Sequence, residues 1–173
     1  PLAVLIGLKN LLIGGFTRER FVEWLSLPIV SEKFDLESDD LAILNRWLAA
    51  AGFEVGLNPA HLDAQRDAQA ADPRQTQVYA PAALHELTLE RALERLAFGW
   101  MLPQDEDAAP YGDVLPVVGT ELGGWDATGE KSGLLLKLAN LYAVLETLRL
   151  KTAEGEKLTD GTSAHFWTCL LYT

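Results

Sequence analysis

The chain has 173 residues, of which 49% are hydrophobic, and a formal net charge of −11. This size suits one globular domain or a piece of a larger one. The acidic balance argues against a domain that tracks nucleic-acid phosphates by itself, because such a domain normally has a basic face. The single cysteine, Cys169, excludes an internal disulfide framework and fits a reducing compartment.

The first element is an apolar run at residues 1–13, which predicts a helix. The run is too short to span a bilayer, and it is interrupted by Lys9 and Asn10. It also lacks the basic flank and cleavage site of a signal peptide, so we expect no membrane association. Because the sequence starts inside this run, at Pro1, we interpret it as a fragment of a longer chain. The expected apolar positions are Leu2, Leu5, Leu8, Leu12 and Ile13.

A second helix is predicted over residues 18–27. Thr17 suits its N-cap, because the hydroxyl can accept from an unpaired amide in the first turn. Phe16 and Phe21 have the spacing of a hydrophobic staple. Pro28 should end this helix and open a further short turn, since proline disfavours the α conformation in the preceding residue and suits a first helical position.

The best-defined helix is predicted over residues 39–51. Ser38 is the expected N-cap, and two aspartates follow it where the helix dipole favours negative charge. Gly52 lies just past the end, where a left-handed residue is needed, and Phe53 can fold back onto the helix. Residues at spacings of three and four form one apolar face, which Trp47 widens: Leu41, Leu44, Leu48 and Ala51.

The next part of the chain alternates between helix and connector. A short helix is expected over residues 58–62, followed by an exposed connector at about 63–87 that is partly helical up to Asp72. Thr88 then caps a helix over 89–101. The apolar face of that helix is predicted to contain Leu89, Leu93, Leu96 and Trp100.

Glycines and prolines recur in residues 104–130, which are therefore predicted to be an irregular loop region. Residues 131–173 are expected to form a long helix, over 131–152, and a truncated C-terminal segment. The helix should end before the polar turn at 153–157. Its leucines are spaced four, three, four and three apart, but they span barely two heptads, so a bundle helix is preferred to a coiled coil. These leucines are Leu134, Leu138, Leu141, Leu145 and Leu148.

The elements together predict a mostly α fold, an irregular helical bundle with few strands. Residues 1–103 form the main helical region in this interpretation. Several of its segments resemble a known family. The similar segments are FT at 16–17, WLSLP-IV at 24–30, KF-L at 33–36, DDLAIL-RWL at 39–48 and AGF-x-x-GL at 51–57, with weaker similarity in LERALERLAFGWMLP at 89–103 and GDVLPV at 112–117.

These segments resemble the central region of RecC, the gamma subunit of exodeoxyribonuclease V, a bacterial nuclease–helicase that processes DNA ends. The sequence departs from the family pattern at Glu54 and Val55, where Arg and Trp are usual, and it matches poorly over 63–85. The shared segments describe local structure rather than catalytic residues. The resemblance therefore identifies a family more directly than an activity.

The resemblance implies the helical insert of a helicase-like, non-catalytic subunit. The parent would belong to an ATP-dependent exodeoxyribonuclease and helicase that processes double-strand DNA ends for recombinational repair. Its RecB-like and RecD-like partners would use ATP and magnesium, and DNA would be bound through the parent complex in the cytoplasm. We expect the fragment itself to be inactive, with no cofactor, no metal and no membrane contact.

Two alternatives remain open. Gly124, Gly129, Lys131 and Ser132 approach a phosphate-binding loop, but Glu130 separates the glycine from the lysine, which a Walker A loop places directly after it. A divergent P-loop NTPase is therefore less favoured than a glycine-rich turn that leads into a helix. The other alternative is a free-standing helical adaptor that binds another protein and never contacts DNA.

The remaining polar candidates are interpreted as structural. Four clustered acidic residues do not have EF-hand spacing. We expect them to lie in a solvated loop or to repel nucleic acid. The histidines lack zinc-site spacing, and Cys169 is expected in a core. The acidic residues are Asp105, Glu106, Asp107 and Asp113, and the histidines are His61, His85 and His165.

The tryptophans offer two interpretations. Indole rings can stack on nucleic-acid bases. However, Trp24, Trp47 and Trp100 each lie near the apolar stripe of a predicted helix, so burial in the core is the preferred interpretation.

Overall fold

A computed structural model of the chain describes residues 2–13, 15–70, 81–101, 110–117 and 130–157. The predicted mostly α fold is confirmed, since the described residues form helices and contain no strand beyond two isolated bridges. The helices are α1 Leu2–Leu12, α2 Arg18–Leu25, α3 Pro28–Lys33, α4 Ser38–Ala50, α5 Pro59–Ala70, α6 Pro81–His85, α7 Leu89–Met101 and α8 Glu130–Lys157.

The entry into α2 follows the predicted local signals. Oγ1 of Thr17 accepts a hydrogen bond from the amide of Arg20 at 3.5 Å. The rings of Phe16 and Phe21 stack with centroids 5.4 Å apart, which closes the hydrophobic staple. Pro28 opens α3 as its first residue. Pro28 thus lies between α2 and α3 and begins the second of them, as expected.

The N-cap of α4 differs from the prediction by one residue. Glu37, not Ser38, is the cap, and Ser38 is already helical. The carboxylate of Asp40 accepts a hydrogen bond from the backbone amide of Glu37 at 3.1 Å, as one half of a capping box. With Glu37 as the cap, Asp40 is the third helical residue. From this position its side chain reaches back to the amide of the cap.

The C-terminus of α4 confirms the prediction. Gly52 has a φ of 76°, in the left-handed region. The amide of Gly52 donates to the carbonyl of Ala49 at 3.1 Å, and the amide of Phe53 donates to the carbonyl of Leu48 at 2.9 Å. These two bonds form a Schellman motif, which satisfies carbonyls that the helix leaves without partners.

The predicted apolar face of α1 is partly wrong. Leu8 and Leu12 are buried as expected, and Leu11 is buried as well. Leu2 is 69% exposed and Ile13 is 52% exposed. The helix is apolar around most of its circumference, so spacing alone does not determine which side meets the core. Packing against α2 decides it.

Helix α8 extends further than predicted, through 153–157 to Lys157. Helix α5 continues past residue 62 to Ala70, within the stretch that the sequence predicts to be partly helical up to Asp72. These extensions are rich in Ala, Gln, Glu and Lys, which are good helix formers, and one internal glycine costs only about 1 kcal/mol. The short helix α6 lies within the predicted connector, whose residues 71–80 are outside the described ranges.

One hydrophobic core is built from both sides of that connector. Helices α1, α2 and α4 supply the first part, and α7 and α8 supply the second. The largest fully buried side chains are Trp47, Phe16, Phe21, Phe53, Leu11, Leu25, Leu44, Leu48, Leu57, Leu89, Leu96 and Leu138.

Residues 53–58, which we call the central segment, join these two parts through backbone hydrogen bonds. The amide of Gly56 donates to the carbonyl of Phe16 at 2.7 Å on one side. The amide of Glu54 donates to the carbonyl of Leu87 at 2.9 Å on the other. An extended strand-like stretch can bond on both edges in this way, so it holds the two helical parts in register.

Gly56 is required in the central segment for two reasons. Its φ of 82° is a conformation that side chains with a Cβ rarely adopt. A Cβ at this position would also lie 2.6 Å from Cγ and Cδ2 of Leu62, at the start of α5. Glycine therefore allows both the turn and the close approach of the next helix.

We expect Gly56→Ala to lower the free energy of unfolding by about 2–5 kcal/mol, from left-handed strain plus overpacking. Gly112→Ala is the matched control, because Gly112 has a φ of 67° but no atom within 4 Å of its added Cβ. The control should lose only the strain, about 1–2 kcal/mol. Urea denaturation followed by circular dichroism measures both, and equal losses would show that the contact with Leu62 is unimportant.

Candidate functional site

A buried polar network surrounds His61, which is 2% exposed. Its Nδ1 accepts a hydrogen bond from the amide of Leu57 at 3.2 Å. Its Nε2 lies 2.9 Å from the carbonyl oxygen of Leu12, so Nε2 is the protonated nitrogen that donates to it. The imidazole therefore bonds the end of α1 to the central segment.

The same network continues through Asn58 to α7 and α8. Oδ1 of Asn58 accepts from the amide of His61 at 2.9 Å, and its Nδ2 donates to the hydroxyl of Tyr142 at 3.3 Å. That hydroxyl donates to Oε1 of Glu90 at 2.8 Å. Burial raises the pKa of Tyr142, so the hydroxyl stays protonated as a donor. These groups satisfy one another, which is the arrangement of a structural network.

Burial lowers the pKa of His61 below its ordinary value of 6.5, although the hydrogen bond to Leu12 opposes the shift. Two charged residues of α8 face the ring with opposite effects, Arg149 lowering the pKa and Glu146 raising it. The folded protein thus holds a neutral imidazole, whereas the unfolded chain takes up a proton near pH 6.5.

We therefore expect the free energy of unfolding to be constant above about pH 7 and to fall as the pH drops below 6.5. The unfolded state binds more protons in this window, which gives a slope of at most about 1.4 kcal/mol per pH unit. Carboxylates with lowered pKa, such as Glu86, titrate below this window. Urea denaturation at pH 7.5, 6.5 and 5.5 measures the slope. The control His61→Gln should lack it, and a flat wild-type profile would contradict the assignment.

A second cluster of charges is centred on Arg91 of α7. Its guanidinium binds Glu86 at 3.0 Å, Glu94 at 2.8 Å and Asp113 at 2.7 Å. The hydrogen bond from Arg91 holds the pKa of Asp113 below its usual range. Asp113 was expected in a solvated loop, and its side chain is indeed 83% exposed, but it has a specific partner. The other three acidic candidates, at 105–107, lie outside the described residues.

Arg95, one turn further along α7, completes this cluster. Its Nη1 donates to the carbonyl of Ala51 at 3.0 Å, and its Nη2 binds Glu86 at 3.0 Å. The segment 110–117 then packs across α7, where the amide of Val117 donates to the carbonyl of Arg95 at 3.1 Å. Both guanidiniums are thus used to hold α4, α7 and this segment together.

The approach of this segment requires Gly99. A Cβ on Gly99 would lie 2.3 Å from the carbonyl oxygen of Val117. The backbone of the segment therefore lies directly on α7, in a contact that any larger residue would prevent.

The candidate phosphate loop lies mostly outside the described residues. Gly124 and Gly129 are not described, and Lys131 is described only as backbone in the first turn of α8. Ser132 is half-buried in that same turn and has an interaction of its own. The P-loop alternative therefore stays a prediction.

Among the described residues, the metal-binding residue types do not come together. Nε2 of His85 lies 3.4 Å from Oδ1 of Asp63, and His61 is buried elsewhere. His165 and Cys169 lie outside the described residues. Within the ranges given above, no three His, Cys, Asp or Glu side chains are grouped as a metal site would need.

The prediction for the tryptophans is correct for two of the three. Trp24 and Trp47 are buried, at 7% and 2% exposure. Trp100 is 45% exposed, so its predicted burial is wrong. The buried stripe of α7 passes through Ala92 and Gly99, which rotates Trp100 away from the core.

Exposed apolar surface is the most prominent unassigned feature of the described residues. Helix α8 buries four of its five predicted leucines, and Leu148 is half-buried. Its opposite face is exposed and uncharged over four turns, and we call this face the outer seam. It contains Leu136, Ala139, Asn140, Ala143, Val144, Thr147 and Leu150. Sequence reasoning missed it, although the spacing of 136, 140, 143, 147 and 150 repeats that of the inner leucines.

Helix α1 has a similar second face. Leu2, Ile6 and Ile13 are each more than half exposed. A groove of about 630 Å³ opens between α1 and α2, lined by apolar atoms of α1 and by Trp24 together with Arg20 and Glu23. Helices that are apolar on opposite sides are normally buried on both. The candidate functional site of this chain is therefore a pair of protein-contact faces, on α1 and α8.

None of the helices in the described ranges has both the length and the apolar composition needed to cross a bilayer. Their exposed faces are instead typical of protein-contact surfaces.

The chain matches a known family over residues 1–167, and the description of that family is RecBCD enzyme subunit RecC fourth domain. A comparison with curated proteins gives no match. The family match includes the segments that form the capped end of α4, the central segment and the contact between α7 and residues 110–117. It confirms the resemblance derived from the sequence: the chain belongs to the family of the fourth domain of RecC, a subunit of the RecBCD enzyme.

Proposed function

We propose that this chain is a structural domain of a non-catalytic, helicase-like gamma subunit. The parent enzyme would be an ATP-dependent exodeoxyribonuclease and helicase that processes double-strand DNA ends for recombinational repair. The observation that carries the proposal is the family match over residues 1–167. The domain would maintain the shape of the subunit and form contacts with its neighbours.

The geometry supports a structural role. The polar groups around His61 form hydrogen bonds with one another, and the charged groups around Arg91 form ion pairs. These contacts join different elements of the fold. Such satisfied networks stabilise one arrangement of the helices. The apolar faces of α1 and α8 point outward instead, which is the pattern of surfaces that neighbouring protein covers.

The partners follow from the same proposal. RecB-like and RecD-like subunits would bind the parent in the cytoplasm and would use ATP and magnesium for movement and cleavage. With a net charge of −11, the domain has few cations available for phosphates. DNA would therefore bind the complex chiefly through other surfaces, with no membrane contact.

Reconstitution tests the proposal. Tagged full-length subunit should co-purify with a helicase–nuclease partner, and ATP-dependent degradation of linear duplex DNA should require it. Leu48→Asp should abolish both by misfolding, because Leu48 has 0% exposure and an unpaired buried charge is costly. Ala42→Glu, at an exposed position of α4, is the control and should leave both unchanged.

Two other results would contradict the proposal. Hydrolysis of ATP by the 173-residue chain, lost in Lys131→Ala, would favour the P-loop alternative. A full-length protein that binds another protein but has no effect on the degradation of DNA ends would favour the helical adaptor.

A further inference from the structure

The two ring nitrogens of His61 join parts of the chain that are distant in sequence. Nδ1 accepts from the amide of Leu57, in the central segment, and Nε2 donates to the carbonyl of Leu12, the last residue of α1. Both partners are backbone groups, so neither can change between donor and acceptor. This position therefore accepts only the neutral imidazole that has its proton on Nε2.

A second proton on the ring removes the acceptor at Nδ1. Both nitrogens of an imidazolium carry a proton, so Nδ1 and the amide of Leu57 become two donors that face each other across 3.2 Å. A buried amide without an acceptor is unfavourable. The bond to Leu12 survives, because Nε2 is a donor in both states. Protonation therefore breaks one particular contact, between His61 and the central segment.

The charged groups that face the ring come from α8. Arg149 disfavours the imidazolium and Glu146 favours it, and these two side chains form an ion pair with each other at 2.7 Å. The other neighbours are an aromatic ring, an amide and two groups that are joined to His61 through Asn58. They are Phe16, Gln65, Tyr142 and Glu90. Because the two charges of α8 oppose each other, burial decides in favour of the neutral ring.

The contact that protonation breaks lies on one edge of the central segment. On this edge, which faces the end of α1 and the entry to α2, the amide of Gly56 also donates to the carbonyl of Phe16 at 2.7 Å. The opposite edge is held separately. There the amide of Leu89 donates to the carbonyl of Gly56 at 3.0 Å. The amide of Glu90 donates to the carbonyl of Leu57, also at 3.0 Å.

We propose that His61 is a pH-sensitive switch for the edge of the central segment that faces α1. With a neutral ring this edge is closed. With a charged ring it opens to water at Gly56 and Leu57, while the edge at Leu89 and Glu90 stays bonded. The folded domain thus opens locally, in addition to losing global stability, as the pH falls. The switch does not depend on the proposed function.

Hydrogen–deuterium exchange of the full-length subunit tests the switch, with peptide fragmentation to resolve single amides and correction for intrinsic exchange rates. A solvated histidine takes up its proton near pH 6.5, and one proton changes an opening equilibrium by at most about tenfold per pH unit. Protection of the amides of Gly56 and Leu57 should therefore fall roughly tenfold between pH 7.5 and 5.5. At pH 5.5 these amides should exchange at least about tenfold faster than those of Leu89 and Glu90.

Two variants separate titration of the ring from damage to the network. His61→Gln lacks the titrating group, so we expect protection at Gly56 and Leu57 to be independent of pH. Tyr142→Phe removes the hydroxyl bonded to Asn58 but retains the imidazole, so the roughly tenfold fall should remain. If His61→Gln does not fold, the comparison of the two edges in the wild-type subunit still decides.

Three results would overturn the proposal. Equal protection of the two edges at pH 5.5 would mean that the central segment opens only when the whole domain unfolds. Protection at Gly56 and Leu57 that does not change with pH would mean that the ring has no effect on this edge. A fall of the same size in His61→Gln would mean that another group titrates.

Discussion

The structure depends on the hydrogen bonds of the central segment. This stretch leaves α4 through the left-handed Gly52 and bonds to Phe16 on one edge and to Leu87 on the other. It then turns at Gly56 so closely to α5 that no Cβ fits. The helices before and after the connector are far apart in sequence, so their packing needs a fixed element between them. The central segment supplies it, and the side chains of Phe53 and Leu57 extend it into the core.

The family segments acquire a physical meaning from this arrangement. AGF-x-x-GL, at 51–57, encodes the helix end, the two-sided stretch and the glycine turn. GDVLPV, at 112–117, encodes a turn at Gly112, a carboxylate for Arg91 and a backbone that lies on Gly99. The glycines are required by backbone geometry, and Asp113 forms an ion pair with Arg91. The resemblance to RecC thus reports the constraints of a fold.

Local signals were predictable from the sequence, whereas orientation was not. Thr17 and Gly52 act through atoms a few residues away, so their pattern is sufficient to predict a cap and a stop. The core-facing side of α1 and the exposure of Trp100 depend on which neighbour packs where, and an apolar helix leaves that choice open. The His61 network joins residues 12, 58 and 142, and no local pattern announces such distant partners. The spacing of the outer seam is visible in the sequence, but only the fold shows that this face is exposed.

The net negative charge of the chain is compatible with its membership of a RecC family for a physical reason. The guanidiniums of Arg91 and Arg95 bind carboxylates, and that of Arg95 also binds a carbonyl at the end of a helix. The ammonium of Lys137 is paired with Asp35 and Asp40. A cation held in this way offers little to a phosphate, because binding DNA would first break its existing contacts. Because these cations are already paired, exposed apolar faces can lie beside charged side chains without attracting nucleic acid. Paired cations beside exposed apolar faces favour contacts with protein over contacts with phosphates.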